Sequence, residues 1–311
     1  MERRRDWRLP AALRGATVAL GNFDGVHLGH AHVLRAAHGA RPDASRAVLT
    51  FEPHPRELFR PDDPPFRLQT ADERADALAA LGVDLLVEIP FDGAFAELSA
   101  EAFVAEVLHG GLGASHLACG PDFAFGHRRG GDIAFLTRRA EELGMGLTVV
   151  PPLADAQGPI SSSRIRRLLQ DGYPERAAAE LGRPWAVRGA VQHGDARGRL
   201  LGFPTANVPL GQHLEPARGV YAVTARLPGG EGARGVANVG RRPTIAEGLE
   251  SRIEAHLLDW SGDLYGQEVE VAFHAFLRPE RRFEGLDALT RQIAADARDA
   301  REALDRAAPA P

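Results

Sequence analysis

Thr17-Val18-Ala19-Leu20 is an apolar run of strand character that opens into Gly21-Asn22-Phe23-Asp24-Gly25-Val26-His27-Leu28-Gly29-His30, and the segment His32 to Ala37 after it reads as a helix. No other stretch constrains the chain as much. A strand, a glycine-punctuated turn and a helix aim free backbone N–H groups and a positive dipole end at an anion. Glycines at 21, 25 and 29 permit close backbone approach or a positive φ. His27 and His30 flank the turn and can donate to phosphate oxygens. The pattern lacks the lysine of the P-loop and the spacing of the dinucleotide G-x-G-x-x-G. Two blander readings are a tight turn with two surface histidines and part of a zinc site. The second has no third ligand nearby, since the single cysteine is Cys119.

The same alternation continues. Strands are predicted at 46–51, 85–89, 116–119 and 146–150, with helices over 71–81, 99–108 and 132–143, the first opened by a capping box from Thr70 to Glu73. Strands alternating with helices imply a parallel sheet covered on both faces, a doubly wound α/β domain whose ligands gather at the carboxyl ends of the strands. The loops after the first, second, fourth and fifth strands converge there, and two of them carry chemistry. Glu52-Pro53-His54-Pro55 is rigid because its prolines stop regular structure. Gly120 to Gly126 carries Asp122 and two rings, Phe123 and Phe125, which can stack a planar ring system or plug the core. Ile160-Ser161-Ser162-Ser163-Arg164-Ile165-Arg166 offers hydroxyls and fixed positive charge at a helix start, suited to a polyphosphate or to an N-cap followed by solvated arginines.

From Trp185 the period changes to two. Short strands at 187–192, 206–209, 220–226, 234–239, 252–258 and 269–276 suggest a small antiparallel barrel of six strands. A terminal helix over 287–304 puts Leu289, Ile293, Ala297, Ala300 and Leu304 on one stripe to cover it. Asp171 to Pro184, with a short alanine-rich helix, reads as the linker, so the expected domains are 1–183 and 184–311. Within the barrel, His193 to Gly202 is a glycine-rich flap running into Phe203-Pro204-Thr205-Ala206-Asn207. Thr205 and Asn207, two apart, project to one side of a strand and are hard ligands suited to Mg²⁺. Glu254 faces away from Ile253, Ala255 and Leu257, which on its own is the solvent side of an amphipathic strand.

A chain of 311 residues accommodates two domains, and 44% hydrophobic with 25% charged residues is the composition of a globular enzyme. The net charge of −5 argues against bulk nucleic-acid binding. One cysteine excludes an intramolecular disulfide and fits a reducing cytosol. The basic start is followed by no apolar core before Pro10, so no signal peptide is expected, and no run approaches membrane-span length. The expectation is a cytoplasmic protein with small-molecule partners, no nucleic acid and no membrane, with weak homo-oligomerisation left open.

Gly21 to His30 resembles the G-x-F-D-G-x-H-x-G-H frame of the FMN adenylyltransferase module in bacterial bifunctional riboflavin kinase/FAD synthetases. Thr50 to Pro55, Gly120 to Gly126 and Ile160 to Arg166 resemble that module's T-F-x-P-H-P, G-x-D-F-x-F-G and I-S-S-T-x-I-R, in the same order. Leu201 to Asn207, Gly219-Val220-Tyr221, Gly240 to Thr244 and Glu254 to Asp259 resemble the riboflavin kinase module. Three positions depart from the usual pattern: Ser163 for threonine, Glu52 for aspartate and Ile245 for phenylalanine.

The resemblance implies a nucleotidylyltransferase domain followed by a riboflavin kinase barrel, with ATP phosphorylating riboflavin to FMN and then adenylylating FMN to FAD with pyrophosphate release. It assigns ATP in the first domain to Gly21, Phe23, Asp24, Gly25, His27, His30, Ser161, Ser162 and Arg166, the two histidines and Arg166 being catalytic. Flavin there falls to Pro53, Pro55, Asp122 and Phe125. In the barrel it gives ATP to Gly194, Arg197, Gly198, Gly202, Pro204, Thr205 and Asn207, Mg²⁺ to Thr205 and Asn207, and the base role to Glu254. Competing readings are a different nucleotidylyltransferase with an unrelated barrel, an enzyme with one of the two activities, and a non-catalytic flavin sensor. The Phe203 to Asn207 segment counts against the first, and intact His27, His30 and Glu254 count against the last.

Overall fold

The computed structural model describes residues 1–193, 203–244 and 248–307. Two compact units divide them: Met1–Pro64 with Ala71–Ser161, and Pro65–Thr70 with Ser162–Pro311.

The first unit runs β1 (Glu2–Arg4), β2 (Thr17–Leu20), α1 (Leu28–Ala40), β3 (Arg46–Glu52), α2 (Pro55–Phe59), α3 (Ala71–Ala80), β4 (Leu85–Pro90), α4 (Gly93–Ala96) and α5 (Ala100–Ala102). It continues through a π-helix (Phe103–Gly111), β5 (His116–Cys119), α6 (Ile133–Glu142), β6 (Gly146–Val149) and a small hairpin of β7 (Ala154–Asp155) and β8 (Gly158–Pro159). Six parallel strands form one sheet in the order β1-β4-β3-β2-β5-β6. From β2 the order advances one way to β3 and β4 and the other way to β5 and β6. The topological switch point therefore lies between β2 and β5, where such sheets place ligands. Every residue of β2 is buried, as a strand covered on both faces requires.

Two expectations are corrected. The sheet has a sixth strand at the N-terminus, where Glu2 to Arg4 pair in parallel with Leu85 to Val87. A three-residue charged edge strand carries no apolar pattern to announce it. The helix expected over 99–108 is a short α5 followed by a π-helix through Gly111, a widened turn whose apolar residues Phe103, Val104, Val107 and Leu108 enter the core.

The second unit comprises α7 (Ser162–Gln170), α8 (Pro174–Leu181), β9 (Trp185–Ala190), β10 (Ala206–Pro209), β11 (Gly219–Arg226), β12 (Gly232–Thr244), β13 (Gly248–Leu257), β14 (Glu268–Pro279) and α9 (Leu286–Ala307). Its six strands pair antiparallel in the order β10-β13-β12-β11-β14-β9. A bridge between Gln192 and Asn207 brings the two edges together, so the barrel is nearly closed. Inward residues such as Val187, Val223, Val239, Ile253 and Phe273 are fully buried. The terminal helix lays Ala300, Ala303 and Leu304 on Val220, Ala222 and Val236 of the barrel's outer face.

The stretch read as a linker is part of this unit's core. Its Ala177 and Leu181, with Ile165 and Leu169 of the helix before it, are buried in one cluster with Trp185, Val187 and Leu68. Segment 65–70 belongs to the same body: Trp185 Nε1 donates to the Leu68 carbonyl at 2.9 Å, and Leu214 N to the Arg67 carbonyl at 2.8 Å.

Cys119 ends β5 with no exposed surface, and burial pushes its thiol up to about 11. Because the thiolate is the reactive form, the native protein is expected to leave a neutral disulfide reagent unreacted, while the denatured chain titrates one thiol. Rapid labelling of native protein would contradict this burial.

Candidate active sites

In the first unit, α1 begins at Leu28, with His27 as its N-cap, four residues before the helix segment read from sequence. The cap is reciprocal: His30 N donates to His27 Nδ1 and His27 N donates to His30 Nδ1, each at 3.3 Å. The two rings stack with centroids 3.7 Å apart and planes 21° from parallel. An imidazole nitrogen that accepts cannot also carry the proton, so each neutral ring holds its hydrogen on Nε2. The turn thus supplies two like-oriented Nε2–H donors beside the first free N–H groups of α1.

The backbone sets up this pair. Phe23, Gly25 and Val26 lie at φ of 51°, 88° and 40°, and a β-branched residue in that region is an outlier of the kind that marks ligand turns. Phe23 is 1% exposed, its ring 4.9 Å from His30, so it acts as a buried prop for the second histidine. Asp24 is buried too. A Cβ on Gly29 would stand 3.0 Å from the His27 ring and 3.2 Å from the Ile160 carbonyl. The missing side chain lets Ile160 approach, which brings neighbouring Ser161 to the same turn.

Of the flavin-loop residues, Pro53 is exposed and Pro55 is the first residue of α2, which His54 caps by accepting from Arg56 N at 3.1 Å. Asp122 is exposed. Phe125 is 6% exposed and packs against Phe103 and Phe123 at 5.3 and 5.5 Å between centroids. Its ring is mainly core, and half-buried Phe123 is the more accessible of the two.

Ser162 and Arg166 lie on α7 in the second unit. The two arginines there differ. Arg164 is paired with the buried Glu180 at 2.7 Å, a structural tie. Arg166 Nε donates to the Phe66 carbonyl at 2.8 Å, its guanidinium 5.3 Å from the Phe66 ring. Segment 65–70 therefore orients the arginine expected at the triphosphate.

In the barrel, Thr205 and Asn207 line a cleft of about 410 Å³ together with Leu257, Trp260, Asp263 and Tyr265. Asn207 is 5% exposed, and its Nδ2 faces the Thr205 carbonyl at 3.5 Å. Glu254 stands directly opposite Asn207 in the β10–β13 pairing, and opposite Asn238 on its other side. Directly paired residues of antiparallel strands share a face, with Cβ atoms about 5 Å apart. Carboxylate and amide are thus neighbours on the outer face.

Two residues were not singled out in the sequence. Asn238 is visible only once the register is known. His256 Nδ1 lies 2.8 Å from the Pro204 carbonyl and its ring meets Phe203 edge-on at 5.3 Å, pinning the segment that carries Thr205 and Asn207. Gly194, Arg197, Gly198, Gly202 and Ile245 fall outside the described residues. Among the described residues, no cluster of three or more histidine, cysteine or carboxylate side chains could hold a metal, and no helix is long and apolar enough to cross a membrane.

An anion-suited turn at the switch point of a parallel sheet, followed by a barrel with a carboxylate beside a buried amide, is an arrangement that fits phosphate-transfer chemistry in each of two units. Residues 9–164 match the model of the FAD synthetase family and residues 181–304 that of riboflavin kinase. The bifunctional riboflavin kinase/FMN adenylyltransferase of Escherichia coli K12 is 41% identical over 96% of both chains. That of Bacillus subtilis is 37% identical, covering 92% of this chain and 91% of its own. A solved structure described as a macrolide-efflux protein from Streptococcus pneumoniae superposes with a TM-score of 0.86 at 33% identity, covering 96% of this chain and 98% of its own. The chain belongs to the bifunctional riboflavin kinase/FMN adenylyltransferase family and carries out both steps, riboflavin to FMN and FMN to FAD.

Proposed function

We propose the following division of labour, with the functional boundary at 183/184. In adenylylation, an FMN phosphate oxygen attacks the α-phosphorus of ATP, the bond to the bridging β-oxygen breaks and pyrophosphate leaves. The nucleophile is already anionic, so no base is needed, and the site must stabilise charge gathering on the leaving group. His27 and His30 donate through Nε2, Ser161 and Ser162 through their hydroxyls, and Arg166 supplies fixed charge. Gly21, Phe23, Asp24 and Gly25 shape the turn, and Pro53, Pro55, Asp122 and Phe125 border the flavin.

In phosphorylation, the primary hydroxyl of riboflavin attacks the γ-phosphorus. An alcohol is a poor nucleophile at neutral pH, and Glu254 takes its proton. Thr205 and Asn207 fit Mg²⁺ by donor chemistry: an amide whose NH₂ side faces a carbonyl leaves its oxygen for a hard cation. Bound with ATP, Mg²⁺ supplies charge neutralisation at the phosphates. Pro204 and the flap residues Gly194, Arg197, Gly198 and Gly202 complete the nucleotide site. A buried thiol and ATP as co-substrate support a cytoplasmic enzyme acting on small molecules, with weak self-association left open.

One observation carries the two-site reading: His27 and His30 belong to the first compact unit, whereas Glu254, Thr205 and Asn207 belong to the second. Chromatography of products from riboflavin and Mg-ATP tests it. FMN is expected first and FAD after it. FMN alone, even after prolonged incubation with supplied pyrophosphatase, would reduce the protein to a kinase.

A further inference from the structure

The side chains of Arg74 on α3 and Glu88 on β4 are each 3% exposed. Arg74 Nη2 donates to Glu88 Oε1 at 2.9 Å and to Glu52 Oε2 at 2.8 Å. The other Glu88 oxygen accepts from Arg3 Nε and Nη2 of β1 at 3.2 and 2.9 Å, and Arg3 Nη1 reaches Asp72 at 2.7 Å. An ionic chain thus runs Glu52–Arg74–Glu88–Arg3–Asp72 from the end of β3 to the edge of the sheet. Buried ion pairs add little net stability over apolar packing, so what such a chain contributes is position. The Arg74 Nε is buried with no partner among the described residues, so two carboxylates, rather than full satisfaction of the guanidinium, dictate where this side chain sits.

Glu52 is the last residue of β3 and the first of the loop Glu52-Pro53-His54-Pro55. We infer that Arg74 is a positioning residue for FMN adenylylation, fixing Glu52 and through it the loop that borders the flavin. This rests on the assignment of Pro53 and Pro55 to the flavin site. Both bonds leave one nitrogen, Nη2, whose two hydrogens go to Glu52 and Glu88, and the guanidinium that carries it stays charged when buried, which a lysine ammonium does less readily. Arg3 extends the tie to the N-terminal strand, giving that short charged strand a purpose beyond closing the sheet edge.

The test uses full-length protein carrying Glu52→Gln, Arg74→Met, both together, Arg74→Lys and, separately, Pro55→Ala, with adenylylation followed while FMN and ATP are varied in turn. Glu52→Gln and Arg74→Met should each raise the KM for FMN roughly five- to tenfold, with kcat and the KM for ATP within about twofold of wild type. The double variant should be no worse than Arg74→Met, because both act through one contact. Arg74→Lys, which keeps the charge on a shorter side chain, should fall between. Riboflavin phosphorylation by the same molecules should not change. An unaltered KM for FMN in Glu52→Gln, alongside a raised one in Pro55→Ala, overturns the positioning role. Additive effects in the double variant do so as well. If Pro55→Ala also leaves that KM unaltered, the flavin assignment of the loop falls and takes the inference with it. Glu52 is 22% exposed, so its variant sustains the test should Arg74→Met not fold.

Discussion

A His30→Ala variant is expected to convert riboflavin to FMN and stop there. The substitution removes one Nε2–H donor directly. It also removes the acceptor for His27 N and the ring stacked 3.7 Å from His27, so the second donor loses its orientation. Removing a single preorganised donor from a charge-stabilising site costs about 10²–10³ in rate, and losing two should put FAD formation below detection. The fold should survive: a lost helix cap costs about 1 kcal/mol against a total stability of about 5–15 kcal/mol. The kinase residues lie in the other compact unit, so FMN output should match wild type. Equal loss of FMN and FAD in a folded His30→Ala protein would be incompatible with two separate centres.

The converse result is expected of Glu254→Gln. The amide has the shape of the carboxylate but cannot take the riboflavin hydroxyl proton, and general-base catalysis is worth about 10²–10⁴ in rate. Phosphorylation should fall by that factor while supplied FMN is still adenylylated. Asn207 and Asn238 flank position 254 on the paired strands, so a glutamine there keeps polar neighbours and the strand pairing is undisturbed. Kinase turnover near wild type would remove Glu254 from the base role and return it to the solvent face of its strand.

Much of this architecture was legible because its signals are local. Apolar runs bounded by glycine and proline marked five of the six parallel strands, and the change to period two at Trp185 marked the barrel. The Gly21 to His30 turn revealed its helix junction through spacing alone, although the reciprocal Nδ1 caps that place His27 inside that junction were not foreseen. What escaped was nonlocal. Glu2 to Arg4 pair with a strand more than eighty residues away and have no hydrophobic pattern of their own. Arg74 and Glu88 were not singled out, because nothing near them in sequence says that each meets its counter-ion in the interior. Asn238 meets Glu254 only through strand register, which no window of residues encodes. Phe125, expected at the flavin, is buried against Phe103 and Phe123, so the choice between stacking a ring and plugging the core that its sequence left open is not decided by its position.

The path of the backbone has one more implication. The barrel-bearing unit is built from residues 65–70 as well as from everything after 161, so the polypeptide enters it, leaves it and returns. A gene severed at any single codon therefore yields at least one incomplete product. Cut between 161 and 162, the downstream fragment forfeits Leu68 from its interior and the carbonyls that receive Trp185 and Arg166. Cut at 183, it forfeits Ile165, Leu169, Ala177 and Leu181 as well. Recombination that shuffles one half against a foreign partner would therefore have to carry six residues from the middle of the other to keep the downstream unit's interior whole.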